Sequence, residues 1–185
     1  MLMGIVYNTT MSPTKTELVT AWLAKQEFYT GQGAPKLENI GGFRLEDPQG
    51  EVGIELSFYA DHADTSDVVY HVPLTYRDAP IEGAEQHLLG TSEHAILGLR
   101  YVYDAAGDPV FIAQARELLA GNSVPQHRTE SFTDDPRIRV HGQTAGKQAE
   151  IIRKPVAGEP AEAGVIGFWE NALGQDLSGL VLRTA

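Results

Sequence analysis

The sequence predicts an α+β fold, in which one helix packs on a curved antiparallel sheet and a smaller, mainly β subdomain follows. Residues 12–26 carry apolar side chains at helical spacing, and three β-type runs come after them, at residues 36–47, 51–61 and 67–78. The helix and the sheet would each present one apolar face. Packing the helix against the sheet is the simplest way to bury both faces, and the order of the elements therefore indicates this class.

The N-terminal part of the chain is predicted to hold one strand and one helix. The β-rich run MGIVYNT, residues 3–9, predicts the first strand. The helix of residues 12–26 would bury a face made by Leu18, Trp22 and Leu23, and we expect Trp22 to pack rather than to stack on a ligand. The start of this helix is marked by Ser12 as N-cap, Pro13 in the first turn, and Thr14 with Glu17 as a capping box.

A second helix and a change of composition organise the rest of the chain. Asp108 suits the N-cap of a helix that begins with Pro109. Residues 123–135 then become polar and contain proline, which predicts a boundary between a domain of residues 1–120 and a β-rich unit of residues 121–185. Four β-type runs fill this second unit, at residues 137–143, 149–156, 163–171 and 178–184.

Composition and charge exclude several classes of protein. The 185 residues include 25 acidic and 14 basic side chains, which gives a formal net charge of −11, and the lysines and arginines form no cluster. Nucleic-acid binding depends on clustered cations, so we expect no nucleic-acid partner. No apolar run has the length of a membrane span, and the N-terminus lacks the features of a signal peptide. Because cysteine is also absent, we expect a cytoplasmic protein without disulfides or zinc–thiolate sites.

The stretch HLLGTSEHAILG, which begins at His87, combines residue types that occur in metal and acid/base sites. His87, Glu93, His94 and the nearby Asp104 are metal-ligand types, but no two of them have the spacing of ligands on one element. Ser92 beside Glu93 and His94 has the residue types of a hydrolase, but the Gly-x-Ser-x-Gly elbow is missing. We therefore predict no metal and no catalytic residue here, and expect a short turn held by side-chain hydrogen bonds.

A second segment, GQTAGKQ at residues 142–148, approaches a phosphate-binding loop. Only three residues separate Gly142 from Gly146, and Gln148 follows Lys147 where a Ser or Thr would be needed to hold magnesium. We expect a turn between two strands at this position and no bound cofactor.

One long segment resembles a known family. The run VPLTYRDAPIEGAEQHLLGTSEHAILGLRYVYDAAGDPVFIAQ, residues 72–114, is similar to the N-terminal cap region of actinobacterial maltokinases, which phosphorylate maltose in the route from trehalose to α-glucan. The pieces SPTKTELVTAWLAKQEFYTG and GGFRLEDPQGEVGIE extend the resemblance over about residues 1–119.

The resemblance implies a cystatin-like cap for the first part of the chain, and for the rest a loose counterpart of the intermediate subdomain of the kinase N-lobe. No catalytic-loop motif or Asp-Phe-Gly-like triplet is present, so maltokinase activity is not expected. The resemblance implies instead a stand-alone, non-catalytic, cap-like protein without the kinase C-lobe. Such a protein would bind a partner enzyme, trehalose synthase or a maltokinase-like protein, or would associate with itself.

Two other functions stay open. A small molecule or saccharide would bind in a pocket between the cap sheet and the second set of strands. The residues nominated for this site combine aromatic faces with polar tips and charges: Tyr76, Arg77, His94, Tyr103 and Asp104. The third possibility is an uncharacterised enzyme that uses Ser92, Glu93 and His94.

Overall fold

The structure, a computed structural model, describes residues 5–63 and 65–185. Two α-helices, α1 and α2, are nine and eleven residues long and span Lys15–Leu23 and Pro109–Leu119. The described residues also form eleven strands: β1 Met11–Ser12, β2 Leu37–Leu45, β3 Gly53–Asp61, β4 Val69–Arg77, β5 Leu88–His94, β6 Gly98–Asp104, β7 Gln126–His127, β8 Arg139–His141, β9 Ala149–Ile151, β10 Gly164–Glu170 and β11 Asp176–Thr184.

The predicted α+β class, with a helix on a curved sheet and a smaller β subdomain after it, is wrong. The described residues fold mostly as antiparallel β-sheet, which two short α-helices accompany. Two physical reasons explain the difference. The first helix is shorter than its apolar pattern suggested, and the strands after α2 join the sheet of the first part of the chain, where Trp169 of β10 pairs with Gly41 of β2.

The strands form one sheet in the order β1-β5-β6-β4-β3-β2-β10-β11-β9, with β7 paired to β2 and β8 to β10. The chain beyond β9 connects the far end of this sheet to β4. The amide of Ile152 donates to the Val181 carbonyl of β11, and the amide of His71 in β4 donates to the Arg153 carbonyl. The sheet therefore curls round on itself, and the predicted boundary at residues 120/121, which stays a prediction, falls between segments that share hydrogen bonds.

Two apolar clusters lie on opposite faces of β3 and β4. The first cluster is enclosed by the curled sheet and covered by α2; its members include Leu56, Phe58 and Trp169. In the second, α1 packs on the outer face of β3, β4 and β6 through Leu18, Val19, Trp22 and Leu23. Because successive residues of a strand point to opposite faces, β3 supplies Phe58 to one cluster and Tyr59 to the other.

The predictions for single elements had mixed outcomes. The predicted strand at residues 3–9 is wrong for residues 5–9, which have no regular structure, while Met3 and Gly4 lie outside the described residues. The capping box of Thr14 and Glu17 is confirmed, and it makes Thr14 the N-cap; the predicted N-cap, Ser12, belongs to β1 instead.

The other predicted helix and strands are confirmed within a few residues. Asp108 caps α2 by accepting a hydrogen bond from the amide of Val110. The prediction of a turn from His87 onward is wrong for most of that stretch. Residues 88–94 form β5, which pairs with β6 as a hairpin. In the described part of the chain, no helix is long and apolar enough to cross a membrane.

Candidate functional site

An open groove of about 570 Å³ lies between β2 and β10, and we call it the β2–β10 groove. Its walls come from the start of β2 (residues 38–42), the segment after β7 (residues 127–129) and the end of β10 with its turn (residues 168–174); Ala60, His62 and Arg137 complete it. Small-molecule sites have volumes of roughly 300–1,000 Å³, so the groove is large enough for such a ligand. The sequence placed a pocket between the same two sets of strands, but none of its five nominated residues lines the groove.

Two arginines occupy the groove in different ways. Arg137 is fixed, because it donates to Asp135 from Nε and Nη2 at 2.7 Å each while its guanidinium lies 4.4 Å from the centre of the Phe168 ring. Arg128 makes one long hydrogen bond, of 3.4 Å, from Nη1 to the Gly41 carbonyl. Most donors of Arg128 are therefore available on the groove side.

A polar cluster without a counterpart in the sequence analysis lies on the outer face of β3, beside the groove. The buried Glu55 carboxylate accepts two hydrogen bonds of 2.8 Å from Lys15 Nζ and one of 3.1 Å from Ser57. Burial alone would raise the pKa of Glu55, but the charge and hydrogen bonds of Lys15, with the charge of Arg128, lower it below its ordinary value. Glu55 is therefore held as a carboxylate and ties the first turn of α1 to the sheet.

Tyr76, the first nominated residue, contacts this polar cluster. Its hydroxyl donates to Glu55 at 3.4 Å, and burial followed by the negative charge of Glu55 raises the pKa of Tyr76 well above its ordinary value. The phenol therefore stays protonated and acts as a donor within the cluster.

Arg77, Tyr103 and Asp104 lie on the neighbouring strands β4 and β6, but each has a partner of its own. Arg77 donates two hydrogen bonds of 2.7 Å to the fully buried Asp108. The Tyr103 hydroxyl accepts a hydrogen bond from the Ile81 amide at 2.9 Å. Asp104 accepts from Arg153 Nη2 at 2.7 and 2.9 Å, and its carboxylate lies 3.7 Å from His87 Nδ1.

Arg153 connects the two parts of the chain through this ion pair. Besides binding Asp104, its guanidinium lies 5.1 Å from the ring centre of Phe28 and 5.7 Å from that of Trp22. Trp22 therefore packs in the protein, as predicted.

His94, the fifth nominated residue, holds the tip of the β5–β6 hairpin. Its Nδ1 accepts hydrogen bonds from the amides of Ile96 at 3.3 Å and Leu97 at 3.0 Å, and the ring of Tyr7 contacts it edge-on at 5.7 Å. Arg100 also donates to the Leu97 carbonyl. Burial and then the charge of Arg100 lower the pKa of His94, which favours the neutral ring that accepts these bonds.

The hairpin tip itself is apolar. Ile96 is 60% exposed and Leu99 is 41% exposed, and both lie at the edge of the sheet, where β1 is only two residues long. We call these two side chains the hairpin tip. Their exposure on a turn fixed by side-chain hydrogen bonds makes the tip a candidate contact surface.

The remaining sequence candidates have structural surroundings. Ser92 is buried and donates to the Pro13 carbonyl at 2.6 Å. Glu93 is its neighbour on a strand, so the two side chains point to opposite faces. No group of three His, Asp or Glu side chains that could hold a metal is found among residues 5–63 and 65–185. The ligand-site nomination of the five residues stays a prediction, and the structure gives them separate partners rather than a common cavity.

Sequence reasoning missed both the groove and the hairpin tip. The groove depends on pairing between segments more than a hundred residues apart, which no local pattern reveals. The hairpin tip had a local signal in Gly98, which has φ +72° in the structure and lies between the apolar pair Ile96–Leu97 and Leu99.

Comparison with known proteins assigns the first part of the chain to a family. Residues 22–108 match the family model described as the maltokinase N-terminal cap domain. No curated protein matches the chain. The matched segment contains β2 to β6 and the hairpin tip, whereas two walls of the β2–β10 groove lie outside it. The resemblance predicted from the sequence is thus confirmed as a match of residues 22–108, slightly less than half of the chain, to the maltokinase N-terminal cap domain model.

Proposed function

We propose that the protein is a cap-type binding module of cytoplasmic trehalose and α-glucan metabolism, which holds a partner protein through its hairpin tip. The partner would be a maltokinase-like protein or trehalose synthase. The single observation that carries this proposal is the pair of exposed apolar side chains, Ile96 and Leu99, inside the segment that matches the cap domain family.

The hairpin tip is suited to binding because its backbone is already ordered. His94 and Arg100 hydrogen-bond the turn on both sides of Ile96, so little conformational entropy remains to be lost on association. Complete burial of a side chain of this size contributes about 1.5–3 kcal/mol. Because Ile96 and Leu99 are partly exposed, part of this free energy can still be gained when a partner covers them.

The buried carboxylates support a binding role over a catalytic one. Six acidic residues are buried in the described part of the chain, and each is engaged by a cation or by backbone amides: Asp47, Glu55, Asp61, Asp104, Asp108 and Asp135. Their charges serve ion pairs and turns. The pKa of four of them, Glu55, Asp61, Asp108 and Asp135, is lowered by these contacts, whereas a buried general acid requires a raised pKa.

The proposal is tested by biolayer interferometry with the purified candidate partners. The double variant Ile96→Ser/Leu99→Ser is compared with Leu173→Ser, which changes an apolar side chain that is 82% exposed in the β10–β11 turn. We expect the hairpin variant to weaken binding at least about tenfold and the control to bind like the unchanged protein.

Self-association is measured in parallel by light scattering after size-exclusion chromatography. If the unchanged protein is a dimer and the hairpin variant is a monomer, the hairpin tip forms a contact between two copies of the chain. If neither candidate partner binds and the protein is a monomer, or if both variants bind alike, the proposed function is wrong.

A further inference from the structure

The β2–β10 groove is a separate feature from the hairpin tip, and its lining identifies a kind of ligand. Among the residues that line it, two are arginines and two are histidines, while two glutamates provide the opposite charge. One of these, Glu38, already binds His62. The two arginines and the two glutamates of the lining balance in formal charge, so an anion in the groove is held by individual donors rather than by a net positive charge.

Arg128 is the cation best placed to meet a ligand. In the described part of the chain it forms no ion pair, and its one hydrogen bond to protein is the long contact with the Gly41 carbonyl. The buried Glu55 is close enough for the charge of Arg128 to act on it, but Lys15 already binds both of its oxygens. A guanidinium has five N–H donors, so a bidentate pair remains available for an oxyanion.

The position of Arg128 is built into the sheet. Gly42 lies beneath it with φ +152°, and a Cβ placed there would lie 3.2 Å from Arg128 Cδ and 2.6 Å from the Leu56 carbonyl oxygen. A side chain at Gly42 would clash with the Leu56 carbonyl and would make the stem of Arg128 shift by a few tenths of an ångström. The arginine is half-buried, which reduces the screening of its charge by solvent.

His127 adds a ring N–H donor beside Arg128. Its Nδ1 accepts a hydrogen bond from the Thr129 amide at 3.3 Å, so the proton of the neutral ring is on Nε2. Arg137, fixed by Asp135 and stacked on Phe168, gives the groove an edge that is both cationic and flat. An oxyanion with an attached organic body matches this combination of donors and apolar surface.

We propose that the β2–β10 groove binds a small molecule through an oxyanion, a carboxylate or a phosphate, with Arg128 as the principal contact. The chain's overall negative charge repels anions at long range, so binding depends on these local donors.

The test is calorimetric titration with inorganic phosphate, citrate and glycerol 3-phosphate, with glycerol as the uncharged probe. We expect at least one of the three anions to bind saturably and glycerol not to bind. Binding of phosphate and glycerol 3-phosphate would identify the oxyanion as a phosphate, and binding of citrate would identify it as a carboxylate. Arg128→Gln should weaken the binding at least about tenfold, because it removes charge-assisted hydrogen bonds.

Arg139→Gln is the matched control, because the Arg139 side chain is 54% exposed. Its ion pair with Glu159 is a distant one, with 4.0 Å between Nη2 and Oε1. This variant should leave the affinity unchanged. Should Arg128→Gln unfold, Arg128→Lys keeps the charge, loses the bidentate geometry, and should still bind more weakly than the unchanged protein. Absence of saturable binding by every anion, or equal losses in the Arg128 and Arg139 variants, would overturn the proposal, whatever the hairpin tip does.

Discussion

Replacing Arg77 by Met removes the only cation that binds the buried carboxylate of Asp108 among the described residues. In the structure Asp108 has no exposed surface, and two of its hydrogen bonds, each 2.7 Å long, come from Arg77. The variant leaves Asp108 with the Val110 amide at 2.9 Å. Breaking a buried pair from one side costs about 3–5 kcal/mol, and since the Arg77 side chain is 22% exposed we expect about 3 kcal/mol of lost unfolding free energy.

The opposite replacement should cost less. Asp108→Asn keeps an N-cap side chain, which serves a helix about as well as Asp does, and it leaves the unpaired charge on Arg77, which can reach solvent. We expect a loss of about 1–2 kcal/mol from the weakened charge-assisted bonds. Urea unfolding at neutral pH measures both values. Arg183→Met is the matched control, because Arg183 binds Glu150 with the same two-bond geometry at the surface and should unfold near the urea concentration of the unchanged protein.

The pH dependence gives the sign of the effect. Burial would raise the pKa of Asp108, but the hydrogen bonds and charge of Arg77 lower it overall. A carboxyl with a lowered pKa in the folded state stabilises the fold above its unfolded pKa, and this stabilisation is lost as the pH falls through the folded value. The deficit of Arg77→Met should therefore shrink below about pH 4. If the deficit is no larger than that of Arg183→Met, or does not shrink in acid, the reasoning about this pair is refuted.

Three further predictions concern the core, the sheet and the polar cluster. Burial lowers the pKa of His71 to about 3, whereas a histidine in the unfolded chain takes up its proton near pH 6.5. As the pH falls between these values, His71 should cost about 1.4 kcal/mol of unfolding free energy per pH unit. In urea unfolding, His71→Leu should therefore lose less unfolding free energy in acid than the unchanged protein does. Gly41→Ala places a Cβ 2.8 Å from the Phe168 carbonyl oxygen, where β2 meets β10, and should lower the melting temperature measured by circular dichroism; an unchanged value would mean that the strands separate at no cost. Lys15→Met strands the buried Glu55 and should lose about 3 kcal/mol at neutral pH in the same urea assay, and a loss near zero would show that the carboxylate is solvated.

Local patterns predicted most of the elements correctly because their signals lie within a few residues. Thr14 with Glu17 identified the start of α1, and Asp108 with Pro109 identified the start of α2. The strands β2, β3 and β4 followed from their apolar alternation. These features depend on capping chemistry and on period, both of which are legible along the chain.

The fold class and the groove could not be predicted in the same way, because both depend on contacts between distant segments. The pairing of Trp169 with Gly41 turns two expected units into one sheet, and nothing near either residue indicates its partner. Arg128 illustrates the same limit, since the Gly41 carbonyl that it contacts lies 87 residues away along the chain.

The partners of the nominated site residues could not be predicted from the sequence. Arg77 and Asp104 have the residue types of a binding site, yet each is consumed by a partner, Asp108 or Arg153, whose identity only the tertiary structure reveals. His94 was nominated as a ligand contact, and its observed role is to fix the turn that exposes Ile96.

Hydrogen–deuterium exchange of the protein, alone and with a purified candidate partner, tests the proposed function most directly. The account predicts slower exchange on binding for the amides of residues 94–99, and loss of this protection in the Ile96→Ser/Leu99→Ser variant. Protection confined to other segments, such as the β10–β11 turn around Leu173, with exchange at residues 94–99 unchanged, would contradict the claim that the hairpin tip is the contact surface.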